Sequence, residues 1–392
     1  MVDFSLDDEQ KAMQKMAHEF AEKEIRPHAE KYDELEEYPW DIVKKAAKVG
    51  LTHFAFPEEY GGGGVDDAIS HFLVAEELCW GCAGIGMAIL STGLAATAIQ
   101  VMGTEEQKKK YIARFCSPDT PLLGAMCLTE PEAGSDVSNV ATTAKLEGDE
   151  YVLNGSKCFI TNGGIADIHV VFATTDKEMG WAGLAAFIVE KDTPGLSMGK
   201  KEKKMGVRAS HTSEVLLNDC RIPKANRLGG EPGEPGSTSG AFGALSMLEH
   251  SRPGVGAAAL GIARAAFESA VEYSNKRIQF KKPINRHQGI GFKLADMATK
   301  IDASRLLIWR AGWMVNNGLP LQRAEGSMAK LFAGDVAMDV TIDALQVLGG
   351  YGYMRDYPLE KWVRDAKIFQ IWEGTAEIQR LVIARAIAAH GK

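Results

Sequence analysis

Near its C-terminus the chain carries Ile371-Trp372-Glu373-Gly374-Thr375-Ala376-Glu377-Ile378-Gln379-Arg380, a carboxylate set between a large aromatic and a glycine where an amphipathic helical pattern begins. Covered by an apolar ligand, Glu373 would lose its water, and burial raises a carboxylate's pKa and makes it a better base. The plainer alternative is that Glu373 only caps the helix, because acidic residues are favoured near a helix N-terminus.

Three other regions have residue types suited to holding a ligand. Thr129-Glu130-Pro131-Glu132-Ala133-Gly134-Ser135-Asp136 offers backbone N–H groups and hydroxyls for a planar polar ring or phosphate oxygens, or is simply an acidic surface turn. In Phe159-Ile160-Thr161-Asn162-Gly163-Gly164 an aromatic and a hydroxyl stand beside a glycine turn. The aromatic against one face of an isoalloxazine, with the hydroxyl at its edge, would position and polarise such a ring; a core Phe with a capping Thr is the structural alternative. Arg277-Ile278-Gln279-Phe280, His287-Gln288 and Gln346-Val347-Leu348-Gly349-Gly350 add a guanidinium fork suited to a diphosphate and glycines that let a backbone approach a ligand. A solvated arginine at a helix end is the other reading.

These segments need elements to hold them. From Ser5 to about Thr120 the pattern is helical, opening on the capping-box-like Ser5-Leu6-Asp7-Asp8 and resuming at Asp66 and at Thr104, a plausible N-cap. Between about Pro121 and Pro223 the period becomes that of strands. Asn154-Gly155 between Tyr151-Val152-Leu153 and the run from Lys157 to Thr161 predicts a hairpin, and further strands are expected over His169 to Ala173, Leu184 to Val189 and Ser213 to Leu217. Residues 229–240 (GGEPGEPGSTSG) read as a loop or boundary, after which Leu260, Ala263, Phe267 and Val271 mark one face of a bundle helix. The division is thus 1–120 helical, 121–232 a small antiparallel β domain, and 233–392 helical.

With 392 residues, 45% of them hydrophobic, the chain can bury two or three cores, and a net charge of −8 argues against a nucleic-acid partner. Of its six cysteines only Cys79-Trp80-Gly81-Cys82 has a pairing spacing; lacking a second such pair it reads as a buried helical segment, with no metal expected. No apolar run is counted as reaching the ~20 residues of a membrane helix, so no membrane is expected and the location expected is cytoplasmic, or the mitochondrial matrix for a mature eukaryotic chain.

In order and spacing, TEPEAGSD, CFITNGG, KMGVRAS (204–210), RIQF, QVLGGYGY (346–353), VRDAK (363–367) and IWEGTAEIQR resemble the motifs of the acyl-CoA dehydrogenase family from end to end of the chain. The resemblance implies a helical N-terminal domain, a middle β-barrel or sandwich and a C-terminal four-helix bundle, assembled as a homotetramer that holds FAD between domains and across a subunit interface. It assigns Cys127, Leu128, Thr129, Gly134, Ser135, Phe159, Ile160 and Thr161 to the flavin and ribityl portion. Arg277, Gln279, Phe280, His287 and Gln288, with Gln346, Val347, Gly349 and Gly350, go to the diphosphate and adenine, partly from a neighbouring subunit, and Thr375 and Glu377 match further FAD positions. Ser135, Glu249, Ser251, Arg252, Trp372 and Gly374 match places that meet the CoA thioester.

In this resemblance Glu373 is the base: it takes the α-proton while the β-hydrogen leaves as hydride to flavin N5. The Glu373 N–H and a ribityl hydroxyl would steady the thioester oxygen, and electron-transferring flavoprotein would accept the electrons. A minority of the family places its base at the position of Ser251, which serine cannot fill, leaving Glu249 as a poor substitute because residues two apart on a helix face different ways. Phe159 stands where tryptophan is common, and Lys281 where glycine is frequent. Small residues (Ala83, Gly84, Gly86, Ala88, Ser91, Gly93) imply either room for a branched, cyclic or aryl acyl group or close helix packing. An acyl-CoA oxidase, usually longer, and a decarboxylating variant are the competing activities.

Overall fold

The computed structural model describes residues 4–231 and 240–390, with the side chains of 240–242, 244–248, 250 and 390 outside the description. Most of the 229–240 loop, the boundary placed at 232/233 and the side chain of Leu245 therefore lie outside the described residues. The first part is helical: α1 (Asp8–Phe20), α2 (Ala29–Leu35), α3 (Trp40–Lys48), α4 (Ala68–Gly81), α5 (Ala83–Leu90), α6 (Leu94–Met102) and α7 (Glu105–Phe115). The capping box of α1 sits two residues later than expected. Asp7, not Ser5, accepts from the Gln10 N–H at 2.8 Å, and the Gln10 side chain accepts from the Asp7 N–H at 3.1 Å. Thr104 and Gln107 form the same reciprocal pair at α7, as expected.

Seven strands follow: β1 (Gly124–Cys127), β2 (Thr143–Glu147), β3 (Glu150–Thr161), β4 (Ile168–Thr174), β5 (Leu184–Glu190), β6 (Leu196–Lys201) and β7 (Thr212–Pro223). The sheet runs β1-β4-β2-β3-β7-β6, with β5 also on β4. It is largely antiparallel, but β1 lies parallel to β4 in the register Gly124↔Ile168 to Cys127↔Val171. The Asn154-Gly155 hairpin does not form. Its two residues lie inside one long strand, β3, at a register shift against β7. Asn154 lacks the positive φ such a turn requires. Its amide instead accepts from the Asp219 N–H (2.8 Å) and donates to the Asp219 carboxylate (3.1 Å), while a Cβ at Gly155 would sit 2.4 Å from Thr142 Oγ1. The pair is a bulge that lets a neighbouring strand approach. The actual hairpin turns at Gly148, φ 65°, between β2 and β3.

The last part is α8 (Gly240–Lys276), the short ribbon β8 (Ile278–Gln279) and β9 (Lys282–Pro283), α9 (Gln288–Asn316), α10 (Glu325–Leu348), α11 (Gly350–Tyr353), α12 (Leu359–Ala366) and α13 (Ala376–His390). The stretch Ser251–Lys276 is, by length and hydropathy alone, apolar enough to cross a membrane, contrary to the sequence expectation. It is instead the central helix of the molecule, with Ala257, Ala258, Leu260, Ile262, Ala263 and Ala266 all buried.

Close approach makes that burial possible. A Cβ on Gly261 would lie 2.2 Å from the Glu76 carbonyl oxygen and 2.8 Å from the Trp80 nitrogen, so α4 and α8 touch backbone to backbone. The three parts meet at α12. The Val207 N–H donates to Asp365 at 2.6 Å, Lys361 pairs with Asp365, and Arg364 reaches Asp33 of α2 at 2.7 Å and the Met205 carbonyl at 3.0 Å. Replacing Gly261 with Val is expected to destabilise the protein by about 1–3 kcal/mol through overpacking; urea unfolding followed by circular dichroism reads this as a lower midpoint at unchanged slope.

Candidate active site

Glu373 lies in the bend between a 3-10 turn, Lys367–Gln370, and α13. It does not cap that helix: the Thr375 hydroxyl accepts from the Ile378 N–H at 3.3 Å, which satisfies the first turn and removes the capping alternative. Freed of that duty, Glu373 takes φ 54° and Gly374 φ 87°. A left-handed glutamate followed by a left-handed glycine turns the carboxylate back towards α8. There the Ser251 hydroxyl donates to Glu373 Oε2 at 3.0 Å.

The residue keeps part of its surface in the single chain, yet its carboxylate is surrounded by protein. Burial, the largest influence, pushes its pKa above the ordinary carboxylate range, while the Ser251 hydroxyl, Lys330 and Arg252 act in the opposite sense. Gln379, fully buried, donates to the carbonyls of Glu373 (3.1 Å) and Gly374 (2.9 Å), and buried Lys330 donates to the Gly374 carbonyl at 2.7 Å. The Glu373 N–H meets no acceptor among the described residues, leaving a donor beside the base.

Arg252 and Glu249, one helical turn apart on α8, pair at 2.6 Å, and Arg252 also donates to Ser327 of α10 at 3.1 Å. Glu249 is thus turned to Arg252, whereas Ser251 faces Glu373. Among the described residues Glu249 Oε1, Arg252 Nε and Trp372 Nε1 are buried without a hydrogen-bond partner, the pattern of a polar ligand site. Trp372 packs edge-on against Phe369, centroids 5.1 Å apart.

The segments assigned to the flavin form a second group in the β domain. Cys127, Leu128 and Ile160 are buried, Thr161 is half-buried, Gly134 and Ser135 are exposed, and Phe159 is 67% exposed with φ 57°. What anchors them is a buried ion pair. Lys157 donates to Glu130 at 2.6 Å and to the Leu128 carbonyl at 3.1 Å, and the Glu130 carboxylate accepts from the Ala141 and Thr142 N–H groups at 2.7 and 3.0 Å. Burial works to raise the Glu130 carboxyl, but Lys157 and these donors hold it below the ordinary range. The acidic-turn reading therefore fails for Glu130, whose side chain serves the interior. Asn162 ties the following turn to the rest, donating to the Ser91 and Gly124 carbonyls at 3.0 and 3.1 Å.

A third group lines a groove that none of the residues of the first two groups borders. Arg277, Gln279, Phe280, His287, Val347 and Gly350 line an open groove of about 790 Å³ beside Tyr273 and Tyr351, with Gln288, Gln346 and Gly349 exposed near its ends in the chain. Phe280 is 88% exposed, and it and Lys281 both hold positive φ (51° and 65°), so the lysine accepts the backbone for which glycine is common. Gly349 and Gly350 have open space where a side chain would begin. Thr375 is occupied as a cap, and Glu377 is exposed on the first turn of α13.

These features fit FAD. An exposed aromatic held at a bulge suits a flat ring, and an arginine beside glycines suits a diphosphate. The small residues of α5 and the turn after it, in contrast, are consumed by packing: a Cβ on Gly86 would meet the Leu78 carbonyl at 2.8 Å and one on Gly93 the Phe56 ring at 2.7 Å. Sequence reasoning missed Lys330, Gln379, Glu130 with Lys157, and Asn162. For Lys330 a signal existed, a single cation within the apolar run Ser327-Met328-Ala329-Lys330-Leu331-Phe332-Ala333.

Models of three domains match the chain: acyl-CoA dehydrogenase N-terminal domain over residues 7–119, middle domain over 125–220 and C-terminal domain over 239–388. The chain is 47% identical over 378 residues to an acyl-CoA dehydrogenase of Bacillus subtilis (strain 168), covering 96% of this chain and 97% of that one. It is 44% identical over 387 residues to a short-chain specific acyl-CoA dehydrogenase of Clostridium acetobutylicum, covering 98% and 100%. Among solved structures, butyryl-CoA dehydrogenase from Megasphaera elsdenii superposes with a TM-score of 0.93 at 44% identity over 99% and 100% of the two chains. A chain in a structure of the electron transferring flavoprotein of Acidaminococcus fermentans gives 0.92 at 47% identity over 98% and 99%.

Lys157→Met leaves Glu130 buried without its cation. We expect a loss of about 3–5 kcal/mol in urea unfolding, partly recovered when Glu130→Gln is added, because removing one partner of a buried pair costs more than removing both charges.

Proposed function

The chain belongs to the FAD-dependent acyl-CoA dehydrogenase family, and from that premise we propose that it oxidises a short-chain acyl-CoA thioester to the 2-enoyl-CoA with Glu373 as the base. The observation that carries this reading is the Glu373 carboxylate itself, raised in basicity by burial and steered by Ser251, with an unengaged N–H on the same residue. FAD, when bound, supplies the acceptor for the β-hydrogen. Glu373 takes the α-proton, and its own N–H meets the thioester oxygen, where negative charge gathers as that proton leaves. Phe159 and Thr161, with the turn after Cys127, would hold the flavin ring; Arg277, Gln279 and Phe280, with Gln346, Gly349 and Gly350, would hold the rest of the cofactor.

Phe159 does not line the groove of its own chain, which supports an assembly in which a neighbouring subunit's groove completes the site, and we read the protein as a homotetramer. A short acyl group is supported by the relatives named as short-chain specific and by the packing that fills the space around Gly86 and Gly93. Electron-transferring flavoprotein as the acceptor is supported by the likeness to a chain of that partner's structure.

Anaerobic bleaching of the flavin by a panel of CoA thioesters (straight, branched, cyclic, aryl and dicarboxylic) is the direct test. Butyryl-CoA or a near homologue is expected to bleach fastest. Glu373→Gln should slow the bleaching by about 10²–10⁴-fold, the usual contribution of a positioned base; wild-type speed in that variant would remove Glu373 from the role. Because the base works ionised, turnover should fall as pH drops through its raised pKa. Ser251→Ala, which deletes a donor to the ionised form, should carry that acid limb to higher pH.

A further inference from the structure

Lys330 is 1% exposed, yet no carboxylate among the described residues lies within ion-pairing distance of it. Its one hydrogen bond goes to a neutral acceptor, the Gly374 carbonyl, at 2.7 Å. That carbonyl already receives Gln379 Nε2 at 2.9 Å, so a second donor, let alone a charged one, is not needed to satisfy it. Keeping an ammonium out of water is costly. Some part of the structure must gain from the charge.

The groups that face this position from each packed element are few. From α8 comes Arg252, from α10 itself Asp335, from the bend Glu373, and from α13 Glu377, with Gln379 on the same carbonyl; Glu249 and Ser327 lie against Arg252, and Ser251 against Glu373. Glu249 is committed to Arg252, and Asp335 to Arg380 at 2.8 Å and Gln370 at 2.7 Å. Glu377 is exposed on the first turn of α13. Glu373 is therefore the carboxylate with most to gain, and its charge is the first of those acting on Lys330 after burial, which pushes the ammonium down to about 8.

Geometry adds a second link. Glu373 at φ 54° is a non-glycine residue in the left-handed region, a conformation that is strained and persists only where the surroundings over-determine it. Lys330 and Gln379 together pin the next peptide by its oxygen.

We propose that Lys330 is a positioning residue for the reaction: from α10 it pins the Gly374 peptide and, by its charge, keeps the Glu373 carboxylate ionised and aimed until the acyl chain arrives. The inference rests on the reading of Glu373 as the base. Its charge acts most strongly when it is most needed, because an apolar acyl group entering the site lowers the local dielectric, which strengthens attraction between the two groups as it strengthens the penalty on the carboxylate. Arg252 acts in the same sense but is already shared with Glu249 and Ser327.

Three variants of the holoenzyme separate charge from hydrogen bond: Lys330→Met removes both, Lys330→Gln keeps a donor, and Lys330→Arg keeps the charge. Two readouts are taken: the pH profile of single-turnover flavin bleaching, and infrared titration of the Glu373 carboxyl as the difference between each variant and its Glu373→Gln partner. Met and Gln should both move the acid limb and the infrared midpoint to higher pH, with bleaching on the limb about tenfold slower, while Arg stays close to wild type. An unmoved midpoint in Met, or a wild-type profile in Gln, overturns the proposal. Should Met fail to fold, Gln against Arg decides by itself. Full turnover in Glu373→Gln sinks the assignment of the base, an outcome distinct from these.

Discussion

A carboxylate withdrawn from water has to be given a substitute for its hydration, and at position 373 that substitute is a serine hydroxyl at 3.0 Å together with the field of two buried cations. Ser251 and Arg252 come from α8, Lys330 from α10, and the carboxylate from the bend that leads into α13. None of these elements can shift along its neighbour by a helical turn without separating acid from partner. The alanine-rich, glycine-interrupted faces of the bundle follow from this demand, since they let α8 approach its neighbours to backbone contact and hold its register.

The same constraint explains the polar joint around α12. The Glu373 carboxylate on one part of the chain and Phe159 on another keep a fixed relation only when the two parts are locked together. Asp365 receives the Val207 N–H and the Lys361 ammonium, while Arg364 spans to Asp33 and the Met205 carbonyl. Directional, charge-assisted bonds of this kind specify one arrangement where apolar contact alone permits sliding. The Glu130–Lys157 pair plays the equivalent part inside the β domain, fixing the chain between Leu128 and Thr142.

Where local reading went astray, a partner it had not weighed was the cause, near in the chain or far. Asn154-Gly155 has the composition of a tight turn, but Asp219 on β7 offered the asparagine two hydrogen bonds and Thr142 left no room beside the glycine, so the strand runs through. Ser5 lost the cap of α1 to Asp7 because Gln10 stands three residues after Asp7 and can answer it reciprocally. The hydropathy of Ser251–Lys276 belongs to a helix that is surrounded by other helices.

What the sequence by itself determined is what short-range periodicity and motif chemistry encode: helices, then strands, then helices; a carboxylate flanked by Trp372 and Gly374; an aromatic at 159; an arginine at 277. A residue's type and its neighbours within a turn or a strand suffice for these. Only the tertiary structure decided that Thr375 takes over the cap and frees Glu373, that Ser251 is the residue of α8 to meet it, and that Lys330 and Gln379 close on the same peptide. Ser251 and Lys330 stand 122 and 44 positions from the residues they meet, a span across which neither a 3.6-residue nor a two-residue repeat carries information; Thr375 and Gln379 are near in the chain, but the left-handed bend at 373 and 374 that brings them into place is fixed by the packing of whole helices against one another.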